Sequence, residues 1–371
     1  MSTALLFIIV IVVLIISHEL GHFLAAKFCG VQVDEFGLGF PPRIFGKKWG
    51  STLYSLNWLP FGGFVSILGE DSAVNLQEDR PGVTEFGKRN FVHEPAYRRI
   101  FILIAGVTAN LLLAWGLLTV SLQTGLLMPV DSGIDEGYIT NRQVSIGYVV
   151  PNSPAAGAGM LEGDRIISAT DSGREIAIDS PEKLTDILNR SNGEPVTISL
   201  SRDISGDTEF VTLMPETISD GGYRIGVALV ALGEARLPIT FAIVAGASLT
   251  VDFTKGTVVG FYNLISGFFA GQEGVGEVSG PVGIYNMVGS ASGMGLAYIL
   301  AFMALLSINL AVLNILPIPA LDGGRIAVII VESIKGSPIR QDIILKIHQT
   351  GFVLLIALMA VVTLHDIVKL F

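Results

Sequence analysis

Thirteen consecutive apolar residues, Ala4 to Ile16, open this chain, and the run continues through Ser17–His22 into Phe23–Ala26. A helix of that kind is apolar all round, so it needs protein or lipid on every side. Roughly 20 such residues cross a bilayer. Ile100–Leu122 and Leu296–Leu316 repeat the pattern, and Gly351–Leu364, extended back through Ile343–Gln349, makes a shorter fourth span. Ile239–Gly271 is apolar too, but Asp252, Lys255 and many Gly and Thr residues give it the look of amphipathic helices at the interface. The first run has no basic residue ahead of it and no small-residue cleavage pattern, so it reads as a span and not as a signal peptide.

Composition agrees. Half of the residues are hydrophobic and only 15% are charged, against about 25% charged in an ordinary globular domain. A net charge of −10 excludes a nucleic-acid binder. One cysteine, Cys29, excludes a disulfide scaffold and a four-thiolate metal site, and reads as a small buried residue. Lys27 follows the first span, and Arg98 and Arg99 precede the second. Basic residues collect on the cytoplasmic side, so the loop between these spans is expected inside and the N-terminus outside. Four spans then put 123–295 outside, 317–345 inside with Lys335, Arg340 and Lys346 at its edge, and the C-terminus outside. Residues 131–236 hold 17 Asp or Glu against 8 Lys or Arg, a net −9, which fits an acidic module on the outer face.

That module changes character at about 140–218. Ser145–Val150 reads as a strand, Val196–Ser201 and Glu209–Met214 alternate as strands, and Ser180–Asn189 reads as a helix. Ser180 can cap that helix, Pro181 suits its first turn, and Leu184, Ile187 and Leu188 make its apolar stripe. The stretch Ser153-Pro-Ala-Ala-Gly-Ala-Gly-Met-Leu-Glu-Gly-Asp-Arg-Ile resembles a PDZ domain of the kind attached to bacterial proteases. The resemblance implies a peptide groove, expected between about Ile146–Val150 and Ser180–Asn189.

Within the first span stands His18-Glu19-Leu20-Gly21-His22. Histidines at i and i+4 share a helix face, a spacing that suits two nitrogen ligands on one Zn²⁺. Glu19 falls on the adjoining face, where a carboxylate can take a proton from a water on the metal. A glutamate inside a span costs at least a few kcal/mol and is usually functional. A catalytic zinc needs a third protein ligand and an open fourth position. The remaining histidines, His93, His348 and His365, are placed in a polar loop, on the shoulder of the fourth span and at that span's outer end, and none is preferred. The better candidate is Asp322, in Asn314-Ile-Leu-Pro-Ile-Pro-Ala-Leu-Asp-Gly-Gly324 directly after the third span. Pro317 and Pro319 break the helix there, and irregular backbone at membrane depth is tolerated only against protein or a wet cavity. Gly323 and Gly324 permit close backbone approach.

HELGH in the first span, the PDZ-like insert, Ser279-Gly-Pro-Val-Gly-Ile284 and NILPIPALDGG together resemble the site-2 protease family of intramembrane zinc metallopeptidases, in its bacterial RseP type with a single PDZ domain. The resemblance implies Zn²⁺ held by His18, His22 and Asp322, with Glu19 as general base and Asn314 holding the substrate backbone. It implies that the alternating segments Leu53–Leu59 and Phe64–Leu68, around Pro60-Phe-Gly-Gly63, form a membrane-dipping β-structure that pairs with an unwound substrate, to which Val33–Gly39 can add a strand. It also implies single-pass membrane substrates already shortened outside the cell, such as anti-sigma factors, or signal-peptide remnants, and residence in the bacterial inner membrane with the active site toward the cytoplasm.

The expected architecture is a multi-pass α-helical membrane protein with about four spans, a membrane-associated β-region and one extracytoplasmic PDZ-like α+β domain. Its segments are 1–28, the first span; 29–97, the β-region; 98–123, the second span; 124–236, the outer segment; 237–295, amphipathic helices; 296–325, the third span and its LDG motif; and 326–371, the last loop and span. Two other readings stay open at this stage: a non-catalytic scaffold that presents a PDZ module and uses zinc structurally, and a zinc transporter. A structural zinc would want a fourth ligand and not a free base, and a transporter would carry metal-binding residues along several spans.

Overall fold

The computed structural model describes residues 2–70, 90–171, 173–202, 208–217, 221–270 and 279–369. Helix α1 spans Thr3–Phe28, strands β1 and β2 span Val33–Trp49 and Thr52–Ile67, and α2 spans Ala96–Thr124. Next come β3 (Leu126–Pro129), β4 (Ile139–Val149), the single turn α3 (Pro154–Gly157), β5 (Arg165–Asp171), β6 (Arg174–Ala177) and α4 (Pro181–Arg190). β7 (Val196–Ser201), β8 (Thr208–Leu213), β9 (Glu216–Thr217), β10 (Tyr223–Arg224) and β11 (Val227–Ala235) follow. Helices α5 (Ile239–Phe269), α6 (Pro281–Met294), α7 (Leu296–Ile315), α8 (Asp322–Lys335) and α9 (Gln341–Val368) complete the order. The chain forms two compact units, one of 1–118, 246–292 and 299–371, the other of 119–245 with 293–298. Residues 71–89, part of the expected 29–97 region, lie outside the described residues.

In the first unit, α1 begins where the Ser2 hydroxyl accepts from the Leu5 N–H, and Lys27 sits in its last turn, where a cation suits the helix dipole. Its buried residues Leu6, Val10, Leu14, His18 and His22 recur every fourth position, which makes a single stripe along the helix. Leu5, Ile9, Leu20, Leu24 and Phe28 point outward and are exposed, as expected of a helix with lipid for a neighbour. One end of the bundle is tied together by Asp366 of α9. It is buried and accepts from the Gly283 N–H at 2.8 Å, capping the first turn of α6 from another helix.

β1 and β2 are longer than the sequence suggested, and each folds over on itself. Phe36 pairs with Val65 on one side and Tyr54 on the other, while Arg43–Trp49 pair with Asn57–Thr52. The result is four segments in the order 43–49, 52–57, 35–40, 63–67, antiparallel in the two outer pairs and parallel between 52–57 and 35–40. The bend falls at Pro41-Pro42, where the backbone has no N–H to give to a ladder.

Among the described residues, five helices are long and apolar enough to cross a membrane: α1, α2, Ile239–Gly267 of α5, α7 and Asp342–Val368 of α9. The difference from the expected four lies in α5. Where interfacial helices were expected over 239–271, Ile239–Phe269 is one continuous helix whose Leu249 and Phe261 pack among Leu118, Ala304, Ile308 and Val312 of α2 and α7; residue 271 lies outside the described residues. Thr257 Oγ1 donates to Asn309 Oδ1 of α7 at 3.0 Å. The charges that marked α5 as interfacial, Asp252 and Lys255, are exposed and pair with each other at 3.6 Å.

The second unit is built on a sheet in the order β3-β11-β4-β5-β7-β8, with β6 added beside β5. α4 starts as the sequence predicts, with the Ser180 hydroxyl accepting from the Lys183 N–H and Pro181 in the first turn. Its Leu184, Ile187 and Leu188 pack into a core with Val144, Ile146, Met160, Ile166, Ile198, Leu200 and Ile225. Burying side chains of this size is worth about 1.5–3 kcal/mol each, and this cluster holds the sheet and helix together. The expected groove beside Ile146–Val150 is not open. Val149 pairs with Val227, Tyr148 with Ala228 and Ile146 with Leu229, so the returning strand β11 occupies that edge. β3 covers only Leu232–Ala235 of β11 in its ladder, and the Val130 N–H reaches the Ala231 carbonyl. Tyr223, just before β11, donates its N–H to Asn189 of α4.

Candidate metal centre

The HELGH helix brings His18 and His22 to one buried face, as their spacing requires. α2 runs close against that face. A Cβ on Gly21 would lie 2.3 Å from the Ala105 carbonyl oxygen, so the two backbones meet there with no room for a side chain. The close approach lets His22 Nδ1 reach the Ile102 carbonyl at 2.9 Å. A carbonyl only accepts, so Nδ1 carries a proton, which in the neutral ring leaves Nε2 with a lone pair to offer a metal. A backbone partner on the far ring nitrogen is the usual way a metal-ligating histidine is oriented.

Asp322 arrives from the other end of the chain. α7 ends at Ile315, the Pro317 and Pro319 segment breaks the helix, and Asp322 is the first residue of α8. Gly323 and Gly324 fit because their missing side chains leave space for the Leu316 and Ile318 carbonyls. The Asp322 Oδ2 atom lies 3.1 Å from His18 Nε2 and 3.3 Å from His22 Nε2, and the two nitrogens are 3.2 Å apart.

These three distances fit a divalent metal. Ligands at about 2.0–2.1 Å in a tetrahedral arrangement stand about 3.3–3.4 Å from one another. With Nδ1–H committed to Ile102, His22 Nε2 and the Asp322 carboxylate oxygen come this close with a cation between them, either a proton or a metal ion. Among the described residues, these three form the group of His, Cys and acidic side chains whose ligand atoms converge within 4.8 Å. The donor set of two imidazoles and one carboxylate is that of a catalytic zinc with an open fourth position.

Glu19 is half-buried on the adjoining face. It accepts a backbone hydrogen bond from Val65 in the 63–67 segment and interacts electrostatically with His22, His18 and Asp322. Its Cγ is close to Gly63, where a Cβ would lie 3.5 Å away. The outermost segment of the β-region therefore lies against the would-be base. Asn314, buried in the last turn of α7, places Nδ2 3.4 Å from His18 Nε2. The other three histidines stand outside the cluster: His93 in a 3-10 turn, His365 in the last turns of α9, and His348 against the loop that precedes Asp322.

The structure brings the five residues expected from the sequence together, on supports that the sequence did not mark. Ile102, Gly106 and Val65 act through backbone or through an absent side chain, and no motif marks them. Gly106 in α2 was visible only as a glycine in an apolar helix, where a packing reason is common.

The model of peptidase family M50 matches residues 6–358. A protein of Nostoc sp. strain PCC 7120 with a zinc metalloprotease name is 34% identical, over 95% of this chain and 92% of its own. The zinc metalloprotease RasP of Geobacillus kaustophilus is 30% identical over 98% of this chain and 97% of its own. The regulator of sigma-W protease RasP of Bacillus subtilis is 29% identical over 100% and 99%.

Proposed function

Because the chain belongs to peptidase family M50 and is a zinc metalloprotease of the site-2 type, we propose that it hydrolyses peptide bonds within the transmembrane segments of single-pass membrane proteins. The observation that carries the reading is the convergence of His18, His22 and Asp322 within 3.3 Å beside Glu19. Three protein ligands leave a coordination position open, which a structural zinc in a scaffold would not need.

His18, His22 and Asp322 would hold the zinc. Bound zinc supplies Lewis acidity, lowering the pKa of a water toward about 7 and polarising a carbonyl. The Glu19 carboxylate takes the proton from the attacking water and hands it to the leaving amide nitrogen, which departs as an amine. The Val65 N–H fixes the orientation of that carboxylate. A helical substrate shields its amide bonds, so it must unwind before hydrolysis. The 63–67 segment lies at the end of the four-segment order and beside Glu19. Adding the unwound substrate to that edge would replace the hydrogen bonds its backbone loses. Asn314, next to His18, is assigned to the substrate backbone.

The basic residues around the first two spans support an N-terminus outside, a β-region on the cytoplasmic side and the second unit outside, in the inner membrane of a bacterium. The second unit is assigned as one PDZ-like domain that admits substrates already shortened outside. Its peptide edge is reassigned to Val227–Val230, the part of β11 that the β3 ladder leaves uncovered. The printed name of the Bacillus subtilis relative, a regulator of sigma-W protease, supports an anti-sigma-factor type of substrate. Remnant signal peptides are the second class with the same chemistry.

The test is cleavage of a model transmembrane peptide by the full chain in detergent. A chelator should abolish cleavage and added zinc restore it, and Glu19→Gln, folded and zinc-loaded, should be inactive. Cleavage by Glu19→Gln, or cleavage indifferent to the chelator, would overturn the reading.

A further inference from the structure

We infer that His348 of α9 is a positioning residue for the metal centre, holding the 317–321 loop in the conformation that aims Asp322 at His18 and His22. This rests on the reading of Asp322 as a zinc ligand.

The loop has few hydrogen bonds of its own. Pro317 and Pro319 bring no N–H. The Ile318 N–H turns back to the Leu316 carbonyl at 2.7 Å, and the Leu321 N–H reaches the Ile318 carbonyl at 3.2 Å. The Ala320 N–H between them is taken by a side chain from another helix, His348 Nδ1 at 3.0 Å. Ala320 also has φ +77°, in the left-handed region that a residue with a side chain avoids. Such a conformation persists only where surrounding structure over-determines it. α9 supplies that structure twice. One turn past His348, Gly351 is buried against the loop, where a Cβ would lie 2.4 Å from Pro319 Cβ and 2.7 Å from its carbonyl oxygen. Two residues beyond the hydrogen-bonded Ala320 stands Asp322, at the start of a helix whose N-cap, Leu321, has no side-chain cap. The direction of the Asp322 carboxylate is thus set by the backbone that His348 and Gly351 hold.

A backbone N–H donates to Nδ1, so Nδ1 carries no proton, and the required feature is an acceptor at that atom. The amide oxygen of asparagine can take the place of Nδ1. The longer side chain of glutamine carries its oxygen further out, toward the place of Nε2, and leucine has no acceptor.

The test measures zinc affinity of the full chain in detergent by chelator competition, together with kcat and KM for a model transmembrane peptide. His348→Leu and His348→Gln should bind zinc about 10–100-fold more weakly, as other partners that orient metal ligands do. Their zinc-saturated forms should lose kcat with KM changed less than about twofold, since the loop sets ligand geometry and not substrate contact. His348→Asn should stay within about threefold of the parent in affinity, which a purely space-filling role would not produce. If His348→Leu does not fold, the Asn and Gln pair decides. Zinc affinity unchanged in His348→Gln, or His348→Asn as weak as His348→Gln, overturns the inference. Asp322→Asn is the control: loss of zinc there with retention in the His348 variants overturns the positioning role alone, and retention there overturns the ligand assignment and this inference with it.

Discussion

A Cβ on Gly106 of α2 would stand 2.3 Å from Nε2 of His22, the atom that faces Asp322. The absence of a side chain at 106 therefore makes room for the His18, His22 and Asp322 cluster. Gly106→Ala should push the imidazole off its face of α1, cost about 1–3 kcal/mol of stability as overpacking does, and lower the zinc content of the purified protein. Gly116→Ala in the same helix meets nothing within 4 Å, and should leave zinc unchanged while gaining up to about 1 kcal/mol from helix propensity. Zinc analysis and thermal unfolding of the two variants read both effects.

The hydrogen bond from Thr257 to Asn309 at 3.0 Å makes α5 a neighbour of α7 inside the first unit. Cysteines at these two positions should be bridged by a short bifunctional thiol reagent, since the side chains they replace are in contact. Thr257→Val should cost about 0.6 kcal/mol, the average for hydrogen bonds between membrane helices. An α5 lying apart at the interface would give no cross-link.

Asp366 caps α6 across the bundle through Gly283. Asp366→Ala removes the acceptor and leaves that N–H without one, at about 0.5–2 kcal/mol, the range for a lost helix cap. Asp366→Asn keeps an acceptor oxygen and should recover most of it. Thermal unfolding compares them, and zinc content should hold in both because neither touches the ligand atoms.

Local patterns were legible in the sequence and long-range closures were not. His18 and His22 could be set on one face because a helix has a fixed period, and Asp322 could be singled out because prolines and glycines mark where a buried backbone must break. Apolar run length marked the long helices α1, α2, α7 and α9. The fold-over of β1 and β2 was not legible, since Phe36 finds partners at Tyr54 and at Val65 and alternation alone does not choose between them. The edge at Ile146–Val150 looked open because the strand that fills it begins at Val227, some eighty residues later. For α5 the composition, with Asp252 and Lys255, did not show one continuous helix, in which those two charges pair on the exposed side while Leu249 and Phe261 pack inward. His348 gave no signal as a ligand, and it stands outside the His18, His22 and Asp322 cluster. Its contact is with a backbone N–H that only the folded loop presents.

X-ray absorption at the zinc edge reads the ligand set itself. One zinc per chain should show two imidazole nitrogens and a carboxylate oxygen at about 2.0–2.2 Å. Asp322→Ala should lose the carboxylate contribution along with most of its zinc, and Glu19→Gln should keep the spectrum without activity. A sulfur neighbour from Cys29, or an Asp322→Ala spectrum identical to the parent, would contradict a site made by His18, His22 and Asp322.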